Sequence, residues 1–365
     1  MLHTAHLAAF AVPLSIAALT AFSASCSTAP VGHGFDDEIA DTSPPVVDSF
    51  IADTLVVDAG PDTSVITATP KVDLYAFQMW GAAACEVSIL SGEGDYKTFK
   101  KNAQGTLKST PPNGSIEMMT GDIDKDGKTD LYFLGRVDTN SKVTEIHVMN
   151  GANNYGNFLL AVPTGFAYAG VDRMWSFRVG DYNRDGSLDL WGIAAKATGS
   201  KKIEVHVVDG SKNLQPFIEH TATVLPETDE EHVPFFALAD ANKDGAVDLY
   251  VVSAVDPTSG TVEVTVLDGK NLTAAALSHD ITALPKVAAD GRTSFLVGDA
   301  DGDGAPDLFE ILRDGTASGM TEVTILSGAD HFQTVLRRGP TALGVTGNGV
   351  NNTAAKGWVF DLAPP

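Results

Sequence analysis

The sequence predicts an all-β fold, a five-bladed β-propeller of 59-residue four-stranded repeats closed by its C-terminal strand, and three observations lead there. Four Asp-rich segments recur in register, with first aspartates at Asp122, Asp181, Asp240 and Asp299, each 59 residues after the last. A second segment recurs five times at that spacing, as CEVSILSG, TEIHVMNG, IEVHVVDG, VEVTVLDG and TEVTILSG, ending at Gly92, Gly151, Gly210, Gly269 and Gly328. Residues 70–365 number 296, and five repeats of 59 need 295. A stacked solenoid, the structural rival, has shorter repeats and atypical end caps.

Each unit reads as four short strands separated by turn residues. In the third unit these are Phe235 to Ala239, Asp248 to Ser253, Val262 to Leu267 and roughly Leu272 to Ile281. The second strand is apolar on both faces. Leu74, Leu131, Leu190, Leu249 and Leu308 point one way, and Tyr75, Tyr132, Trp191, Tyr250 and Phe309 the other. A strand of that kind must be sandwiched, as a propeller blade is between its neighbours. The first unit begins at Lys71 on its second strand, and an unmatched strand follows the last unit at Trp358 to Leu362. Joining the two completes the fifth blade and removes a free sheet edge. It also accounts for five blades carrying four Asp-rich loops.

Those loops follow D-x-[DN]-x-D-G-x-x-D. Their ligand sets are Asp122, Asp124, Asp126, Lys128 and Asp130; Asp181, Asn183, Asp185, Ser187 and Asp189; Asp240, Asn242, Asp244, Ala246 and Asp248; and Asp299, Asp301, Asp303, Ala305 and Asp307. Alternate acidic positions curl around a hard cation, the Gly permits the sharp turn, the seventh residue offers its carbonyl and the ninth closes the cage. Oxygen-only ligation selects calcium, at about four sites, over zinc or copper. The two loops with four aspartates should bind more tightly than the two containing Asn.

The chain carries 24 basic and 47 acidic residues, a net charge of -23. The loops account for 14 of the acids and residues 27–69 for 8, so the remaining charge nearly balances. Four such clusters call for a counter-ion, and the acidic excess excludes a nucleic-acid surface. The loops, each followed by DLY, DLW or DLF, resemble the FG-GAP and VCBS-type repeats of integrin-like propellers. That resemblance covers residues 70–365 and implies blades that hold calcium in this hairpin, on a secreted or surface binding module sometimes attached to polysaccharide-degrading enzymes. The Gly-Ala-Pro that often follows the second strand is replaced here, for instance by Leu134-Gly135-Arg136, and family propellers commonly have seven blades.

Residues 1–26 read as an export signal, with an uncharged apolar run from Leu7 to Ala24 ending in small residues before Cys26. They resemble a bacterial lipoprotein signal, which implies a lipid on Cys26. An ordinary cleaved signal or an uncleaved anchor are the alternatives. Residues 27–69 read as a disordered acidic linker rich in Thr, Pro and Asp, with no Lys or Arg.

Two further columns stand out. Glu86, Glu145, Glu204, Glu263 and Glu322 recur in every blade, which marks a structural device such as a bond to a neighbouring blade, and His147 and His206 read as ordinary strand surface. The loops joining the fourth strand to the next blade vary most, and Glu227 to His232 is their densest charge cluster. No catalytic residue emerges, since nucleophile-elbow, phosphate-loop and dinucleotide motifs are absent. The expectation is an exported, monomeric, non-catalytic binding or adhesion module, anchored at the bacterial cell surface or periplasm, for a carbohydrate or surface protein. The alternative is an exported carbohydrate-active lyase or hydrolase on the same scaffold. Arg and carboxylates clustered at the mouth of the propeller would favour the enzyme.

Overall fold

The computed structural model describes residues 65–363 except 67, 79–83, 109–115, 168, 170–174, 230 and 347–357. The signal-like start, Cys26 and the acidic segment as far as residue 64 lie outside the described residues. The first strand, β1, is Val65–Ile66. Blade I uses β2 (Leu74–Gln78), β3 (Ala84–Leu90) and β4 (Phe99–Lys108). Blade II is β5 (Ile116–Gly121), β6 (Asp130–Gly135), β7 (Glu145–Met149) and β8 (Phe158–Pro163). Blade III is β9 (Trp175–Gly180), β10 (Asp189–Ala194), β11 (Lys202–Val208) and β12 (Phe217–Pro226). Blade IV is β13 (Phe235–Ala239), β14 (Asp248–Ser253), β15 (Thr261–Leu267) and β16 (Ser278–Pro285). Blade V is β17 (Thr293–Gly298), β18 (Asp307–Leu312), β19 (Met320–Leu326) and β20 (Val335–Gly344). The last strand, β21 (Trp358–Leu362), pairs antiparallel with β2 from Leu74↔Leu362 to Gln78↔Trp358 and becomes the innermost strand of blade I.

The ring closes as the repeat count requires. Innermost strand β5 touches β9, β9 touches β13, β13 touches β17, β17 touches β21, and β21 returns to β5. Five hydrophobic cores lie between the blades, and each takes the aromatic of one second strand and the leucine of the next. Tyr75 packs with Leu131, Tyr132 with Leu190, Trp191 with Leu249, Tyr250 with Leu308, and Phe309 with Leu74. The pattern read from sequence is therefore the device that orders the blades. Burial of each such side chain contributes roughly 1.5–3 kcal/mol.

Three expectations are corrected. The fourth strand of blade IV starts at Ser278, because Leu272, 3% exposed, is drawn into the core from the preceding turn. Tyr96, Tyr155, Leu214 and Phe332 plug the matching turns, where the backbone takes positive φ at two consecutive non-glycine residues. The variable connection read from the sequence as Gly339 to Lys356 starts later, because Gly339 to Gly344 belongs to β20. Finally, the segment read as linker to Thr69 contains β1, which pairs with Arg337 and Arg338 and adds a fifth strand outside blade V.

Blade V is also tied to blade I by Arg337, 1% exposed, which was not foreseen. Its Nε donates to Asp95 Oδ1 at 2.6 Å, its Nη2 donates to Asp95 O at 3.0 Å, and the guanidinium lies 5.2 Å from the Tyr96 ring. A buried charge is tolerable only when paired and hydrogen-bonded in this way.

Candidate functional site

The four Asp-rich loops fold alike. In the first, Asp122 accepts from the N–H groups of Asp126 at 3.1 Å and Gly127 at 2.9 Å, and Asp126 accepts from Lys128 N–H at 2.7 Å. Asp181 accepts from Gly186, Asp240 from Asp244 and Gly245, and Asp299 from Gly302, Asp303 and Gly304. The third carboxylates, Asp185, Asp244 and Asp303, accept from Ser187, Ala246 and Ala305 in the same manner. Gly127, Gly186, Gly245 and Gly304 all have φ near +80°, the left-handed region where a side chain is strained.

The ninth position is built differently. Asp130, Asp189, Asp248 and Asp307 are at most 1% exposed, and each accepts two backbone N–H bonds. One comes from the residue after the first aspartate and the other from Gly151, Gly210, Gly269 or Gly328. A Cβ at any of those glycines would overlap the carbonyl of the residue before the aspartate, which explains the recurrent Gly. Burial pushes all four carboxyls up, Asp307 to about 7.

Carboxylate oxygens of Asp122, Asp124 and Asp130 lie within 4.8 Å of one another, as do those of Asp299, Asp301 and Asp307. These two acidic groups could hold a metal ion. Asp126 and Asp303 stand outside them, turned to the backbone of Lys128 and Ala305. In the second loop, Asn183 donates to Asp185 at 3.2 Å, and Asp181 Oδ1 is buried with no hydrogen-bond partner. In the third, Asn242 accepts from Asp244 N–H at 2.9 Å, and Lys270 pairs with Asp244 at 2.7 Å, holding its carboxyl below the usual range. An all-oxygen donor set, crowded carboxylates of which the ninth-position one is buried, and an orphaned carboxylate oxygen all fit a hard cation.

One member of the set was missed. Asp73 precedes Leu74 as Asp130 precedes Leu131, and it accepts from Gly92 N–H at 3.1 Å, although blade I has no loop. There Lys100 pairs with the carboxylate at 2.8 Å and supplies the positive charge. The signal was available in the Asp-Leu-Tyr shared by Asp73 and Asp130.

The glutamate column is structural, with one correction: its bonds stay within the blade. Glu145, Glu204 and Glu263 accept from the N–H of Ser141, Ser200 and Ser259 at 2.7–3.0 Å, closing the turn between the second and third strands, and Glu322 accepts from Ser318 Oγ. His147 lies 3.6 Å from Glu145 and His206 3.5 Å from Glu204. In the charge cluster at Glu227, Lys201 pairs with Glu227 at 3.0 Å, and the His232 ring lies 2.6 Å from Asp229.

A second polar site lies in the centre of the ring, where the innermost strands enclose a cavity of about 140 Å³ lined by Glu117, Arg178, Ser294, Arg313 and Asp361 among others. Glu117 accepts from Arg136 Nη1 at 3.0 Å and from Phe177 N–H at 2.8 Å. Asp361 accepts from Thr120 N–H at 2.7 Å, and Arg313 donates to Trp358 O at 3.0 Å and to Ser294 Oγ. Burial pushes Glu117 and Asp361 up, while Arg178 draws both down. The sequence held a signal here too. Arg178 and Asp361 share a register column with Met119, Ala237 and Leu296, and interrupt an otherwise apolar series.

A family model described as an FG-GAP-like repeat matches residues 122–191, the span from the first Asp-rich loop through the second to Trp191. No curated protein matches the chain. Among solved structures, the chain is similar to an exo-β-1,3-galactanase from Phanerochaete chrysosporium, at 10% identity and TM-score 0.35, over 61% of this chain and 49% of that one. It therefore spans about half the galactanase. It is also similar to an α-L-arabinanase from Cellvibrio cellulosa, at 10% identity and TM-score 0.40, over 74% and 94%. A third is AofleA from Arthrobotrys oligospora, at 11% identity and TM-score 0.40, over 81% and 77%. The galactanase and the arabinanase stand against the expectation of a non-catalytic module, and likenesses this distant assign no activity. Among the described residues no helix is long and apolar enough to cross a membrane. The chain is a five-bladed β-propeller that carries an FG-GAP-like repeat across residues 122–191.

Proposed function

We propose that the chain is an exported, calcium-binding propeller that engages a carbohydrate or surface-protein ligand, with calcium held in the four Asp-rich loops. The observation that carries the calcium reading is the buried ninth aspartate, at most 1% exposed in every loop, set beside crowded carboxylate oxygens in the first and fourth loops and an orphaned one in the second. Asp122, Asp124 and Asp130, Asp181 and Asp189, Asp240 and Asp248, and Asp299, Asp301 and Asp307 would hold the ions. Bound calcium would neutralise each loop and pin the turn between a blade's first and second strands. Calcium is structural in this reading, and ligand chemistry belongs elsewhere.

The ligand face is the one opposite the loops, where the central cavity opens among Glu117, Arg178 and Arg313. Paired carboxylates and guanidinium groups suit the hydroxyls and charges of a saccharide. The same cluster favours, as a second reading, carbohydrate chemistry at that cavity. A glycan and surface-protein screen of the chain with calcium tests both readings. Binding should be lost in Arg313→Ala and kept in Asp126→Ala, and turnover of a bound glycan would select the second. Binding that survives Arg313→Ala would move the ligand off the cavity.

Export with a lipid on Cys26 completes the proposal, and its support is the small-residue box before that cysteine. Mass spectrometry of the mature protein should find a lipidated Cys26 as the first residue, and Cys26→Ser should release the protein into solution. A free amino terminus elsewhere would remove the anchor.

A further inference from the structure

We infer that the basic residue at the fourth position of the first three Asp-rich loops is an inter-blade cation that weakens calcium binding in the following loop and steadies that loop when calcium is absent. The inference rests on the calcium reading above. Lys125, Arg184 and Lys243 occupy this position in the first three loops, and each has φ near +60°. None of the three points into its own loop; each reaches across the blade junction. A Cβ on Gly186 would lie 3.0 Å from Lys125 Nζ, one on Gly245 would lie 3.9 Å from Arg184 Nη1, and one on Gly304 would lie 3.0 Å from Lys243 Nζ. Arg184 also donates to Asp244 O at 3.4 Å. Each cation therefore stands over the sixth position of the neighbouring loop, the glycine whose N–H donates to that loop's first aspartate.

The exception supports the rule. In the fourth loop the same position is Gly302, and the next blade round the ring is blade I, which has no Asp-rich loop to receive a cation. The first loop, which follows blade I, is not visited either: nothing lies within 4 Å of a Cβ on Gly127. The loop's own Lys128 sets its Cβ 3.4 Å from a Cβ on Gly151, towards the next turn of its own blade. Basic residues are thus present where a following loop exists and missing where it does not. Lys71, at the start of blade I, packs instead on Gly302, so the fourth loop lies beneath two ammonium groups, those of Lys71 and Lys243.

A positive charge next to an acidic loop acts in opposite senses on its two states. It offsets the mutual repulsion of the carboxylates in the empty loop, and it repels a divalent cation entering the full one. For exposed groups at this range the effect on affinity is about threefold to tenfold at low ionic strength, and salt screens it. The Asp122 loop, with three clustered carboxylates and no visiting cation, is then the tightest site. The Asp299 loop has the same carboxylates and falls below it.

The test is calcium titration calorimetry on the full chain at low and high salt, comparing wild type, Lys125→Ala, Asp181→Ala and the double variant. The expected result is that Lys125→Ala tightens one binding step threefold to tenfold at low salt. The gain should disappear in the Asp181→Ala background and shrink at high salt. The calcium-free Lys125→Ala protein should also melt below calcium-free wild type. Lys142→Ala, in the exposed turn between β6 and β7 at the other end of the blade, serves as the control and should leave every step unchanged. Calcium uptake by the wild type with no gain in Lys125→Ala, or a gain that persists without Asp181, would overturn the inference and leave the calcium reading standing. No uptake by the wild type would overturn both.

Discussion

Chelation of calcium is expected to lower the melting temperature of the chain by about 10–20 °C, and restoring calcium to millimolar levels to recover it. Open sites of this kind in extracellular modules have Kd near 10⁻⁴ M, so each contributes about 1.4 kcal/mol at 1 mM calcium and four independent sites about 5–6 kcal/mol. That is comparable with the whole stability of many domains, and at about 2–4 °C per kcal/mol it gives the stated shift. The structural cause is the ninth aspartate. Asp130, Asp189, Asp248 and Asp307 are buried carboxylates held by backbone N–H groups, and burial drives Asp307 up to about 7. Without a cation these groups resist ionisation at the junction that fixes two strands of each blade. Blade I offers the comparison, because Asp73 stands at the matching place with no Asp-rich loop beside it and pairs with Lys100 at 2.8 Å. Asp126→Ala or Asp303→Ala should cost about 1 kcal/mol, the loss of one turn hydrogen bond. A melting curve indifferent to chelator would overturn the argument from loop to cation.

The parts of this molecule that were legible in the sequence are those that repeat. The blade count, the sandwiched second strand and the closing strand follow from a fixed period, because every blade must solve the same packing problem. The aromatic column from Tyr75 to Phe309 and the leucine column from Leu74 to Leu308 follow from the repeat as facing partners, since a ring offers each blade two neighbours. What the repeat hides is anything that depends on one junction. Arg337 reaches Asp95 across 242 residues of chain, and nothing local to either residue marks the pairing. The central cavity collects Glu117, Arg178, Arg313 and Asp361 from four blades, so its chemistry appears only when the ring is closed. The turn plugs failed for another reason. Leu272 has the apolar character of a strand residue, and only the left-handed turns at Asp95–Tyr96, Asn154–Tyr155, Asn213–Leu214 and His331–Phe332 show that such a residue can enter the core from a turn.

Deletion of residues 357–365 is expected to abolish the folded state, leaving aggregated protein that binds hydrophobic dyes. The closing strand is short, but three kinds of stabilisation meet in it. Phe360 and Leu362 are each 5% exposed and share a core with Leu74, Leu90 and Phe309, which at roughly 1.5–3 kcal/mol per side chain gives about 3–6 kcal/mol. The pairing of Leu74–Gln78 with Leu362–Trp358 adds several backbone hydrogen bonds, each worth about 1 kcal/mol net. Asp361 takes the Thr120 N–H at 2.7 Å and so binds blade I to blade II. Together these approach or exceed the 5–15 kcal/mol of a typical domain. The loss also falls on the worst possible place, because β2 is buried along its whole length and would become a free apolar edge facing an opened channel. Asp361→Ala keeps the strand and should cost only about 1–3 kcal/mol, the penalty of an unpaired buried donor. If the truncated chain stays soluble, melts cooperatively and still takes up calcium, the ring does not depend on its closing strand, and its stability must come from the four blades whose strands are continuous in sequence.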